Sequence, residues 1–130
     1  MHIEIPNKIV NKSDGEVFAY LSDLKNFENL MPESIDKFQV MDEDTFLFAL
    51  KGMPEITLKR RDQRPNSKIV LGAASDKLPF TLTADISSKA ENVSEVSLHF
   101  EGEFNAMMAM MIKSPITNFM TTLSENLEKI

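Results

Sequence analysis

The segments 80-FTLTADI-86 and 96-VSLHFEGEF-104 decide the fold of this chain. In each of them, apolar and polar residues alternate without interruption. A period of two places successive side chains on opposite faces of a strand, so that one face contacts a core and the other contacts water. Antiparallel sheets are built in this way. We therefore predict two long antiparallel strands here, with the apolar phase buried and the polar phase exposed.

The same period extends over residues 35–105, and turn signals divide this region into six segments. The acidic run 42–44, the pair Gly52 and Pro54, and the segment 64–67 are three of these signals. Six consecutive strands without an intervening helix argue against a parallel, doubly wound sheet.

The N-terminal part of the chain predicts one strand followed by two short helices. Residues 1–12 have the alternation of a strand. Ser13 and Glu16 have the spacing of a capping box, in which two side chains satisfy free amides at the start of a helix. Residues 22–23 offer a second helix start. Pro32 should end that helix, because the residue before a proline avoids the α region.

The helical period returns after Asn105, and residues 106–129 predict one helix of about 36 Å. Pro115 lies inside this helix and should kink or restart it. The apolar residues form a broad stripe: Met107, Met108, Met111, Ile112, Ile116, Phe119, Met120, Leu123 and Leu127. A hairpin-connected sheet buries such a helix most economically by curling around it. We predict a single α+β domain, residues 1–130, in which a seven-stranded curved antiparallel sheet wraps a long C-terminal helix and two short helices follow strand 1.

The segment 17-VFAYLSDLKNFENLMP-32, together with this order of elements, resembles the START and birch-pollen-allergen (SRPBCC) superfamily, whose fold is the helix grip. The likeness covers essentially the whole chain and is closest to small bacterial members. The superfamily includes lipid and sterol carriers, plant hormone receptors, quinone-binding proteins, polyketide cyclases and oxygenase subunits. The resemblance implies a ligand cavity between the sheet and the long helix, and it does not imply one particular function.

The expected cavity wall consists of the inward phase of the sheet and the C-terminal helix. The chain has nine methionines, four of them within residues 107–111. Methionine adapts to varied apolar shapes, so these residues suit a deformable site; alternatively, they only fill irregular gaps under the helix. The expected ligand-binding residues are Phe46, Phe48, Arg60, Phe80, Leu82, Leu98, Phe100, Met107, Met108, Met111 and Phe119. Such a site suits a lipid, quinone, terpenoid or aromatic molecule.

Arg60 has two interpretations. It continues the phase of Ile56 and Leu58, so its guanidinium could point into the cavity and bind a carboxylate or phosphate. A strand end or a bulge at this position would instead turn the side chain to solvent.

The residues that could support catalysis are few. His2 and His99 have no metal-binding spacing, and His99 is expected to face water. Tyr20 is expected to pack against the sheet or cap its mouth, and Asp23 and Asp85 have no evident partner for acid–base chemistry. We therefore predict no catalytic residue, no metal site and no cofactor.

Charge and hydropathy limit the possible partners. The net charge of -6 disfavours nucleic acid, and no stretch approaches the roughly 18 apolar residues of a membrane span. The chain has no cysteine, which excludes disulfides and thiolate metal sites. We expect a cytoplasmic monomer or homodimer.

Three functions are compatible with these observations. The first is a binding or carrier protein for a small hydrophobic molecule. The second is a polyketide cyclase- or dehydratase-like enzyme that uses the same cavity, which would require polar groups inside it. The third is a protein-interaction module with a closed interior.

Overall fold

The computed structural model describes residues 1–51, 55–74 and 80–130. The turn expected at Gly52 and Pro54 lies outside these residues. The elements follow in the order β1 (His2–Glu4), β2 (Lys8–Val10), α1 (Asp14–Ser22), a 3-10 helix (Leu24–Leu30), β3 (Ile35–Asp42), β4 (Thr45–Leu50), β5 (Ile56–Arg64), β6 (Lys68–Ala73), β7 (Phe80–Ala90), β8 (Val93–Gly102) and α2 (Ala106–Leu127). This is the predicted α+β helix-grip architecture.

The strands form one antiparallel sheet in the order β1-β8-β7-β6-β5-β4-β3, and β2 also pairs with β8. The alternation predicts one first strand, but the structure has two short strands, β1 and β2, which both pair with β8. Pro6 lies between them, and a proline has no N–H to donate to a sheet ladder. Because β1 and β2 share the position beside β8, the eight strands occupy seven positions across the sheet.

The two short helices begin where the sequence predicts. The Ser13 Oγ accepts a hydrogen bond from the Glu16 amide at 3.2 Å and caps α1. The Asp23 Oδ1 accepts one from the Lys25 amide at 3.2 Å and caps the 3-10 helix. The Arg60 guanidinium donates hydrogen bonds to the carbonyl of Ser22, at the end of α1, and to that of Glu43, in the turn between β3 and β4. The junction of the two helices therefore lies at the end of the sheet that carries this turn.

The predicted register of the sheet is confirmed. Leu71, Leu82, Phe100 and Ile3 form one cross-strand row over four neighbouring strands, and all four are buried. Thr83 is an exception, because it is in the outward phase and yet only 7% exposed. Its cross-strand neighbours on the outer face are half-buried and cover its short side chain.

Helix α2 begins after β8 and runs back across the sheet to the short helices. The Asn105 Oδ1 caps it by accepting a hydrogen bond from the Met108 amide at 2.8 Å. The Asn126 Nδ2 donates to the Leu30 carbonyl at 3.0 Å and ties the other end to the 3-10 helix. The helix continues through Pro115 without the restart that the proline suggested. No helix among the residues with described positions is long and apolar enough to cross a membrane.

The expectation that Met107 and Met111 lie in the interior is wrong. They are 73% and 65% exposed, whereas Ile116 is 5% exposed. An α-helix turns by about 100° per residue, so Met107 lies about 180° and Met111 about 140° from Ile116 around the helix axis. The stripe that the sequence suggested was too broad, because the first turns of α2 place apolar residues on both sides of the helix.

Candidate ligand site between the sheet and the C-terminal helix

The concave face of the sheet and α2 enclose two small voids. The first void has a volume of about 20 Å³ and lies toward the short helices. Its lining consists of Leu21, Phe27, Leu30, Ile69, Leu71, Leu82, Ala84, Leu98, Leu123 and Leu127. The second has about 10 Å³ and is lined by Phe48, Ile56, Leu58, Phe80, Leu82, Phe100, Ile116, Phe119 and Met120. Leu82 lines both voids, so they are adjacent.

Both linings consist entirely of apolar side chains. A void of 10–20 Å³ has room for about one water molecule, and an apolar void of this size stays dry. The expectation of a cavity that already has the size of a lipid or aromatic ligand is therefore wrong for this conformation of the described residues. The side chains of the sheet and of α2 leave only these small spaces between them.

Aromatic rings form the wall of the second void. The rings of Phe48 and Phe119 stack with centroids 4.9 Å apart and planes within 6° of parallel, which joins β4 to α2. On the other side, Phe80 and Phe100 stack at 5.1 Å, and Phe100 lies 6.2 Å from Phe104. Two pairs of phenylalanine rings thus form part of the lining of this void.

The structure places the predicted ligand-binding residues in three groups. Those that line a void are Phe48, Phe80, Leu82, Leu98, Phe100 and Phe119. Phe46 is fully buried but lines neither void, because its ring packs among other phenylalanines, with Phe27 at 5.3 Å and Phe38 at 5.4 Å. The side chains of Arg60, Met107, Met108 and Met111 also line neither void.

Arg60 is a structural residue at the helix end of the sheet. Its Nη2 donates to the carbonyls of Ser22 at 2.7 Å and Glu43 at 3.0 Å, and its Nη1 donates to Gln63 Oε1 at 2.7 Å. The Nε lies 3.1 Å from Asp44 Oδ1, but its orientation is not that of a hydrogen bond, so this contact is an ion pair only. Arg60 keeps the inward phase of β5, as the alternation suggested, and a bulge follows it before residue 62. Its guanidinium stabilises the negative end of α1 and is not directed into either void.

Sequence reasoning missed several residues that line the voids, notably Leu21, Phe27, Ile69 and Ala84. The first two belong to the short helices, to which the sequence analysis assigned no site residue. Ile69 and Ala84 have the correct alternation for the inner face, so the sequence did contain a signal for them.

The polar groups of the chain lie elsewhere. On the outer face, the His2 Nε2 lies 3.0 Å from Glu4 and the Nδ1 lies 3.1 Å from Glu101. The hydrogen bond to Glu4, and the negative charge of both carboxylates, raise the pKa of His2 above its ordinary value. His99 is 3.5 Å from Asp85 on the same face. Within residues 1–51, 55–74 and 80–130, His, Asp and Glu side chains form no group that could hold a metal ion.

Two concavities wider than these voids are open grooves on the surface. One of about 560 Å³ crosses the outer face of the sheet at His2, Arg61, Thr81 and Glu101. Another of about 550 Å³ lies beside Arg60 and the acidic turn at residues 42–44. They are larger than the two voids, but they do not enclose a ligand, so we place the candidate site in the interior.

Comparison with known proteins gives the same architecture without a similar sequence. No protein-family model and no curated protein matches the chain. A truncated norcoclaurine synthase from Thalictrum flavum superimposes with a TM-score of 0.78 over 99% of this chain and 92% of that chain, at 11% identity. This chain has the helix-grip fold. The resemblance to the START and birch-pollen-allergen superfamily is thus confirmed for the fold.

Other proteins with solved structures share this fold. The protein XoxI from Bacillus cereus has a TM-score of 0.71 over 98% of this chain and 93% of its own, at 11% identity. The di-domain ARO/CYC BexL from the BE-7585A biosynthetic pathway has a TM-score of 0.67 at 12% identity, over 98% of this chain and 46% of its own. Identities this low establish the helix-grip fold alone.

Proposed function

We propose that this helix-grip domain binds a small, uncharged apolar molecule between its sheet and α2, by widening the two adjacent voids. The observation that carries the proposal is the chemistry of the lining: two enclosed spaces that share Leu82 are surrounded only by apolar side chains. A charged ligand would lose its hydration there without gaining a partner, whereas an apolar ligand would lose nothing of that kind.

The voids must open before such a molecule can bind. The first turns of α2 supply the freedom for this, because Met107, Met110 and Met111 are largely exposed. Pro115 weakens the helix at this position, since it has no N–H and cannot donate a hydrogen bond to the carbonyl of Met111. A segment with few buried apolar contacts opens at a lower free energy than the core does. We propose that the residues before Pro115 move while the C-terminal half of α2 stays in place.

The ligand class follows from the wall of the second void. Two pairs of phenylalanine rings flank this void, so an aromatic or other flat apolar molecule would stack there. A norcoclaurine synthase structure with a TM-score of 0.77 to this chain was solved in complex with dopamine and hydroxybenzaldehyde. That complex supports aromatic compounds as the first class to test.

The similarity to BexL suggests a second function, that of a cyclase- or dehydratase-like enzyme. Such an enzyme would need at least two polar groups directed at its substrate. The side chains that line the two voids are all apolar, so we favour binding without catalysis.

The test is titration with the neutral dye N-phenyl-1-naphthylamine, whose emission rises and shifts to the blue in apolar sites. We expect saturable binding to the wild-type protein. Leu82→Ala joins the voids and should tighten binding, whereas Ala84→Leu fills the first void and should weaken it. Leu24→Ala is the matched control, because Leu24 is also a buried leucine but lines neither void.

Equal affinity in all four proteins would contradict the proposal, because the dye would then bind outside the voids. Absence of binding to both the wild type and Leu82→Ala would also contradict it. In that case the closed interior would favour a protein-interaction module.

A further inference from the structure

Three methionines at the start of α2 project into solvent. Met107, Met110 and Met111 are 73%, 83% and 65% exposed, and no other large apolar residue among the described ones is as exposed. They have the spacing i, i+3, i+4, which places them within an arc of about 100° on one side of the helix. We call these three residues the methionine triad. Its thioether groups belong to neighbouring side chains on two consecutive turns.

Neither packing nor the proposed ligand site accounts for the triad. Its members line neither void, and the contacts of this part of α2 with the core are made from the opposite side, where Ala109 and Ile112 are half-buried. Any polar residue could occupy the exposed side at lower cost in solvation. The sulfur atoms of the triad, and not only its apolar surface, therefore suggest a role.

Thioether sulfur is a soft, uncharged ligand. Sites made of methionine select Cu(I) and similar soft ions, while imidazole and carboxylate groups suit zinc or calcium. The chain has no cysteine, and its two histidines, His2 and His99, lie on the outer face of the sheet. The soft-ligand chemistry of α2 thus depends on methionine alone.

We propose that the methionine triad binds a soft monovalent cation, Cu(I) or Ag(I), through its three sulfur atoms. Methionine has three rotatable bonds, so thioethers on neighbouring turns can converge on one ion. The amino end of a helix carries partial positive charge, which disfavours a bound cation, but this effect fades beyond the first turn. Met110 and Met111 lie in the second turn, and the net charge of the chain is -6.

The test is titration of the full chain with silver nitrate in chloride-free buffer, with each methionine labelled with ¹³C at its methyl group. Silver(I) is the probe because it resists oxidation and disproportionation. We expect one ion to bind, with the methyl signals of Met107, Met110 and Met111 shifting together and those of Met31 and Met120, which are buried, staying in place.

Variants separate the triad from other donors. Changing all three residues to leucine keeps the size of the side chains and removes the sulfur, and it should weaken silver binding at least tenfold. Met41→Leu changes an exposed methionine on β3 and should have no effect. The double variant His2→Gln with His99→Gln should bind silver as the wild type does.

Three results would overturn the proposal. They are the absence of silver binding, binding that persists in the triple leucine variant, and binding that disappears in the histidine variant. The silver titration follows the methyl signals of the triad, whereas the dye titration follows variants of Leu82 and Ala84, which line the voids, so failure of one proposal is distinguishable from failure of the other.

Discussion

The two halves of α2 use the same residue type in opposite environments. Met110, in the half before Pro115, is 83% exposed, whereas Met120, in the half after it, is fully buried. The second half packs on the sheet and is tied to the 3-10 helix through Asn126. The first half is held mainly by its cap at Asn105 and by its weaker apolar side. The position of a methionine around the helix, and not the number of methionines, decides whether it belongs to the core.

This difference gives the two halves of α2 different properties. The second half is one wall of the interior and should be as stable as the whole domain. The first half is the part that can move and whose sulfur atoms are available to solvent. Substitutions in each half test whether they differ in this way.

The largest expected effect is on the core side. Met120→Ala should lower the free energy of unfolding by about 2–5 kcal/mol, because it removes buried methylene groups and leaves a cavity. Met110→Ala should change it by no more than about 0.5 kcal/mol, as is usual for exposed positions. Urea denaturation of the two variants measures this, and equal midpoints would mean that the two methionines have the same environment.

The second effect concerns the boundary between the halves. Pro115→Ala restores an N–H to the interior of the helix, and proline is less favourable there than alanine by about 3 kcal/mol. We expect the free energy of unfolding to rise by up to that amount and dye association to become slower in stopped-flow measurements. Ser114→Ala, at the exposed neighbour of Pro115, is the control. An unchanged association rate in a stabilised Pro115→Ala variant would show that opening does not depend on this weak point.

The third effect separates stability from binding. Arg60→Met leaves the carbonyls of Ser22 and Glu43 without their donor and should destabilise the fold by about 1–3 kcal/mol. Dye affinity should not change, because Arg60 lines neither void. Arg64→Met, at an exposed position on β5, is the control for loss of a positive charge. A selective loss of dye binding in Arg60→Met would show that Arg60 contributes to the ligand site.

The smallest effect is expected on the outer face. The pKa of His2 is raised above 6.5, chiefly by its hydrogen bond with Glu4. The stabilisation from protonated His2 is therefore complete below the unfolded pKa and is lost as the pH rises through the folded pKa. NMR titration of the imidazole should show this raised pKa, and Glu4→Gln should lower it. An unaltered pKa of His2 in Glu4→Gln would contradict the assigned cause. The affinity for the dye should stay constant over the pH range in which His2 titrates.

The sequence predicts most of the fold because period-two alternation determines which face of each strand is buried. Leu82, Leu98 and Phe100 are buried as the alternation requires. The break at Pro6 was not predicted, since the residues on both sides keep an apolar pattern. The cap at Ser13 was predicted, because capping depends on local spacing.

The sequence predicts the candidate site only in part. Strand phase gave Phe48, Phe80, Leu82, Leu98 and Phe100 correctly as residues that line the voids. Met107 and Met111 were misplaced because the segment 106–112 is apolar all round, so its sequence does not indicate which side of the helix faces the core. Void volume depends on how side chains interlock across the core, which no local pattern encodes.

The most direct test of the proposed ligand site is a methyl spectrum of methionine-labelled protein during titration with toluene, a neutral aromatic molecule. Met120 lines the second void, while Met107 and Met110 face solvent. We expect the Met120 methyl signal to shift with saturation, and those of Met107 and Met110 to move by a small fraction of that shift. Saturable shifts at Met107 and Met110 with an unmoved Met120 would place the aromatic molecule on the surface of α2 and contradict a ligand site between the sheet and the helix.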